Sequence, residues 1–214
     1  MPPPTLRLPW PDGTSGPIRS GHDRGAAARA RITLCPMAIR FFVGHGASGS
    51  AASMALHVEG LRRRGIAAEA IDLPLKKAEA AVEAMRVIVP DRPAADGRLI
   101  AVGGQSYGGR VASLAAAEPD TDYAALVLFS YPLHLPGKPD LATERTAHWP
   151  QIRCPVLLLS GEADPFARIE LLRAAVPILA NAELVTYPRL GHTLRPVLDD
   201  ALDRTARFLE KIGG

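Results

Sequence analysis

Cysteine is nearly absent: Cys35 and Cys154 are the only two in a chain of 214 residues. They lie far apart, show no metal-ligand spacing and come without secretory context, so free thiols in a reducing compartment are expected rather than a disulfide. Histidine offers no metal pattern either. His134 and His148 flank a proline-containing loop that structure alone explains, and no metal is expected. Long apolar runs are also missing. None approaches the roughly 20 residues of a membrane helix, and the N-terminal stretch lacks the apolar core of a signal peptide. With 47% hydrophobic and 22% charged residues, the composition is that of a soluble globular protein, and the expected location is cytoplasmic.

The formal charge of +3 and a pI near 9.1 raise the question of a nucleic-acid partner. The excess is local: Arg7, Arg19, Arg24, Arg29, Arg31 and Arg40 face only Asp12 and Asp23. Without interleaved aromatics or a recognition helix, such a segment reads as solvated, and no nucleic-acid or membrane partner is expected. Residues 1–36, rich in Pro and Arg, carry no sustained apolar period and read as a mostly disordered leader. Met37 directly precedes the first convincing strand, so the folded domain is placed at 37–214.

From there the chain alternates between short apolar runs and longer amphipathic stretches. Strands are expected at 38–43, 66–73, 98–103, 124–129, 156–160 and 182–187. Helices are expected at 50–64, 76–89, after Ser106 through 117, at 168–176 and at 196–212. The continuous apolar runs at 124–129 and 156–160 suit central strands covered on both faces. About six strands alternating with helices make an α/β chain, a three-layer α/β/α sandwich on a mostly parallel sheet. An irregular, proline-containing connection after residue 129 is too short for a cap domain.

Chemistry enters at Gly104-Gln105-Ser106-Tyr107-Gly108, which fits the G-x-S-x-G turn that lifts a serine hydroxyl clear of a sheet. A pattern with three fixed positions arises by chance in roughly one chain in ten of this length. Context sharpens the match: an apolar strand (Leu99 to Val102) precedes it and an alanine-rich helical stretch follows. Larger side chains at Gly104 or Gly108 are expected to damage folding. A serine hydroxyl also needs a histidine to take its proton and an acid to orient that histidine. Asp164, in Ser160-Gly161-Glu162-Ala163-Asp164-Pro165, and His192, in Leu190-Gly191-His192-Thr193, each follow an apolar strand, where such folds place functional loops.

Two N–H donors are required for an oxyanion, and the backbone supplies candidates at Tyr107 and, in the glycine-rich loop 44–49, at Ala47. That loop lacks the lysine of a P-loop and the spacing of a dinucleotide fingerprint, so no cofactor is expected. His45, Gln105 and Tyr131 are candidate substrate-binding residues; stabilising the loop is the alternative for His45, and packing against the domain for Tyr131.

These motifs resemble the α/β-hydrolase superfamily from about Ala38 to the C-terminus. More narrowly, Gly104 to Arg110, Ser130 to His134 with Pro136 to Pro139, and Ser160 to Phe166 resemble the domain shared by testis-expressed protein thirty and a chromatin-complex subunit. The superfamily resemblance implies a Ser106–Asp164–His192 triad and cleavage of small esters or thioesters through an acyl-enzyme. The superfamily sheet has eight strands and six are found here, a departure in which the first two strands are expected to be absent. A non-catalytic interaction module is the alternative, and acyl transfer or peptide cleavage would use the same residues.

Overall fold

Short runs of consecutive apolar residues become the strands of one parallel sheet, because each must be covered from both sides. The structure, a computed structural model, describes residues 39–93 and 97–214. The leader read over 1–36 and Cys35 lie outside those residues. The strands are β1 (Ile39–Gly44), β2 (Ala67–Ile71), β3 (Leu99–Gln105), β4 (Ala125–Phe129), β5 (Val156–Gly161) and β6 (Ala182–Tyr187). Their order is β2-β1-β3-β4-β5-β6, and every neighbouring pair is parallel.

The helices are α1 (Ala55–Arg62), α2 (Ala78–Ile88), α3 (Tyr107–Ala117), α4 (Ala142–Thr146), α5 (Ile169–Ala175) and α6 (Leu198–Gly213). All five residues of β4 are buried, and alternation sends them to opposite sides. Leu126 and Leu128 pack into a core with α2, α3 and α5. Ala125, Val127 and Phe129 pack into another with α1 and α6. Helix α6 buries Ala201, Leu202, Thr205, Ala206 and Leu209, the spacing of one helical face. The result is the expected three-layer sandwich, the α/β-hydrolase fold.

Two elements differ from the expectation. The helix expected from Ser50 begins as a 3-10 turn, Ala51–Met54, since Asp72 Oδ1 accepts from Ala51 N at 2.6 Å and Ser53 Oγ donates to Ser50 O at 2.6 Å. The β4–β5 connection is irregular but contains α4, whose five residues are too few to show a period. No cap domain sits on it. Among the described residues no helix is long and apolar enough to cross a membrane.

Strand order reverses between β1 and β3: the chain leaves β1 toward β2, then returns to β1's other side. At such a switch point the two following loops diverge and open a crevice at the carboxyl ends of the strands. Backbone meets backbone at its base. A Cβ added at Gly104 would stand 2.5 Å from the Gly108 carbonyl carbon and 2.7 Å from Gly44 O, and one at Gly108 would collide with the Gly44 backbone. Gly108→Ala is therefore expected to lower stability by about 1–3 kcal/mol, the usual range for overpacking. Urea unfolding measures it, and an unchanged midpoint would show that the backbones can separate at no cost.

Candidate active site

Ser106 joins β3 to α3 with φ 51° and ψ −111°, a left-handed conformation that L residues avoid. Two hydrogen bonds hold it: Ser106 N–H donates to Phe129 O at 2.9 Å, and Gly108 N–H donates to His45 O at 2.9 Å. The turn directs the hydroxyl to the imidazole of His192, with Oγ and Nε2 2.8 Å apart.

On the far side of that ring, Nδ1 lies 2.7 Å from Asp164 Oδ2. The carboxylate only accepts, so in the neutral ring Nδ1 carries the hydrogen and Nε2 offers its lone pair to the Ser106 hydroxyl. Asp164 is buried, and its other oxygen accepts from Phe166 N at 2.8 Å. The Phe166 ring lies against His192, with centroids 4.5 Å apart. One residue thus fixes the carboxylate through its amide and covers the imidazole with its side chain; sequence reading did not single it out.

The structure brings Ser106, Asp164 and His192 together in one hydrogen-bonded row. Ala47 and Tyr107 line the same cleft as Ser106, and among the described residues neither amide has a hydrogen-bond acceptor. The Tyr107 N–H belongs to the first turn of α3, where helical N–H groups have no intrahelical partner.

The three candidate substrate-binding residues lie elsewhere. His45 is buried; its Nδ1 donates to Gly46 O at 2.8 Å, and its Nε2 accepts from Leu73 N at 3.0 Å. Tyr131 is buried against Trp149 and donates to Arg145 O at 2.7 Å. Gln105 lines a separate cavity of about 320 Å³ together with His57, Phe129, Ser130 and Thr193. His134 resembles His45 in use: Nδ1 donates to Leu135 O at 2.8 Å, while Nε2 accepts from Arg168 N at 2.9 Å. It ties the β4–β5 connection to the loop that carries Asp164.

A second serine–histidine contact needs separating from the first. Ser113 Oγ donates to Arg110 O at 2.8 Å, which leaves His148 Nε2 as donor to Ser113 across 2.9 Å. Ser113 is fully buried, and among the described residues no carboxylate pairs with His148. Without access or an orienting acid, this pair is packing.

The Ser106 cleft measures about 660 Å³. Pro132, Leu135, Leu141 and Phe166 form an apolar wall, while Lys76, Lys77, Arg110 and Arg145 place positive charge around it. Such a cleft admits a small organic molecule with both apolar and polar parts.

Residues 40–210 match the family described as Alpha/beta hydrolase domain. The chain belongs to that family. Solved structures agree on the alpha/beta hydrolase fold. The monoacylglycerol lipase of Paleococcus ferrophilus is 15% identical with a TM-score of 0.69, covering 81% of this chain and 94% of that one. Est1E of Butyrivibrio proteoclasticus, solved with ferulic acid bound, is 18% identical with a TM-score of 0.62, covering 82% and 88%. The dienelactone hydrolase of Anabaena variabilis is 25% identical with a TM-score of 0.57, covering 81% and 84%. No curated protein matches this alpha/beta hydrolase in sequence.

Burial gives the fold a pH dependence at two histidines away from the serine. It lowers His57 to about 4, and burial with the nearby Arg110 charge lowers His148 to about 4. An unfolded histidine takes up its proton near pH 6.5. Between roughly pH 6.5 and 4 the unfolded chain therefore binds more protons than the fold, and stability falls as pH falls through that window. Urea midpoints at neutral and mildly acid pH are expected to show this loss, with a smaller loss in His148→Gln; an equally steep loss in the variant would remove His148 from the account.

Proposed function

We propose that this protein is a serine hydrolase that cleaves small esters or thioesters through an acyl-enzyme on Ser106. The observation that carries the reading is the unbroken row Ser106 Oγ, His192 Nε2, His192 Nδ1 and Asp164 Oδ2, with contacts of 2.8 and 2.7 Å. His192 takes the hydroxyl proton as Oγ attacks the carbonyl carbon, and Asp164 orients the ring and offsets its positive charge. The Ala47 and Tyr107 amides receive the oxyanion, aided by the positive end of α3. His192 then returns the proton to the leaving group, and water, activated by the same ring, releases the acid. This scheme uses no cofactor.

Two further facts support the hydrolase class. The chain belongs to the alpha/beta hydrolase domain family, and the neighbours named above include a lipase and a dienelactone hydrolase. The open cleft suits accessible small acyl groups.

The test is intact-mass spectrometry after exposure to a fluorophosphonate, which labels an activated serine without knowledge of the substrate. Wild type is expected to gain one adduct and Ser106→Ala none, with esterase turnover falling by several orders of magnitude in the variant. Asp164→Asn keeps the shape but presents the wrong hydrogen to Nδ1, and turnover is expected to fall on the order of 10³- to 10⁴-fold. A folded wild type that takes no label would replace this reading with a non-catalytic interaction module.

A further inference from the structure

The walls of the Ser106 cleft carry four basic side chains, Lys76, Lys77, Arg110 and Arg145, against two acidic ones, Glu79 and Glu144. They do not cancel pairwise. Arg110 Nη2 donates to Glu79 Oε1 at 2.6 Å, so those two neutralise each other. Glu144 is exposed to solvent beside Arg145 in sequence. Among the described residues Lys76, Lys77 and Arg145 form no ion pair within 4.0 Å.

Arg145 is the informative member. It is half-buried, and one of its N–H groups donates to Pro132 O at 2.8 Å. Burial, and secondarily the Arg110 charge, push its pKa down, against smaller opposing effects of Tyr131, Glu144 and Glu79. A guanidinium cannot relieve that by losing its proton. A cation partly removed from water with no carboxylate in ion-pairing distance is an imbalance that a bound anion corrects. Tyr131 and its hydroxyl, donating to Arg145 O, hold the backbone of this residue in place.

Lys76 and Lys77 stand where a helix does not favour them. Lys77 is the N-cap of α2, so both lysines sit at the positive end of the helix dipole. Their positive charge and that of the helix end add over the cleft mouth. The same cleft is lined by the apolar side chains of Leu135, Leu141 and Phe166.

We propose that the cleft selects an ester bearing a second, anionic group, with the anion held by Arg145, Lys76 and Lys77 while the ester carbonyl lies at Ser106. This rests on the reading of Ser106 as nucleophile and adds the substrate class to it. The anion is a carboxylate or another oxyacid group, and an apolar spacer along the wall separates it from the scissile bond.

Two matched ester pairs test the proposal. 4-Nitrophenyl hydrogen adipate against 4-nitrophenyl methyl adipate puts the charge on the acyl side; 4-carboxyphenyl butyrate against its methyl ester puts it on the leaving group. Rates are divided by those of hydroxide-catalysed hydrolysis, so that intrinsic reactivity drops out. In one of the pairs the charged ester is expected to show a kcat/KM about tenfold or more above its neutral partner, mainly through KM, with the preference shrinking as salt rises. Arg145→Gln and the double variant Lys76→Gln/Lys77→Gln are each expected to reduce that ratio several-fold. The lysine pair is exposed, so that variant reads the charge even where Arg145→Gln disturbs folding.

Equal or better turnover of the neutral ester in both pairs overturns the proposal, as does a ratio unmoved by the double variant. Calorimetric titration of Ser106→Ala with the same esters reads the preference as Kd, independently of turnover. A wild type that takes no fluorophosphonate while Ser106→Ala still binds the charged ester more tightly sinks the nucleophile reading alone. Labelling without any preference sinks the anion site alone.

Discussion

The close approach of three backbone segments sets the geometry at the carboxyl edge of the sheet. The end of β1, the end of β3 and the first turn of α3 meet at Gly44, Gly104 and Gly108, at separations that leave no room for a Cβ at either of the last two. With that contact made, the chain must turn within a single residue, and Ser106 takes the left-handed φ of 51°. The same contact orients the α3 axis so that its first N–H groups point over the switch point. Strain at one residue is tolerated because the surrounding sheet, buried on both faces, over-determines its position.

Neighbours, not residue type, decide what each histidine does here. His45 and His134 are buried with both nitrogens engaged by backbone groups, one donating and one accepting. That pattern fixes the tautomer and turns the imidazole into a rigid bracket between loops. His148 and His57 sit where burial keeps them neutral. His192 keeps part of its surface open and has a carboxylate behind it and a hydroxyl in front. Swapping these environments, with the same five imidazoles, would move the chemistry to another place in the fold.

Much of this was legible in the sequence because it is local. Apolar runs at 124–129 and 156–160 read as central strands, and glycines flanking Ser106 mark a tight turn. The order of Ser106, Asp164 and His192, each just past a strand, singled out three residues that the structure places in one hydrogen-bonded row. Other features were hidden for physical reasons. The Ser113–His148 contact joins residues on separate elements without any motif. The basic rim draws on residues 76, 77, 110 and 145, far apart in sequence, so no charge run announces it. Burial of His45 and Tyr131 was not legible either: both side chains, read as candidate binding residues or as packing, lie inside the protein.

The hydrogen-bonded row also imposes an order in time. Ser106 and His192 are 86 residues apart, and the sheet grows strand by strand outward from β1 and β3 toward β6. During synthesis at roughly 5–20 residues per second, the serine leaves the ribosome some 4–17 s before the imidazole it contacts. For that interval the elbow can be formed while its hydroxyl is only an ordinary alcohol. His192 lies beyond the last parallel strand, so the row can close only once β6 has docked and the sheet is complete.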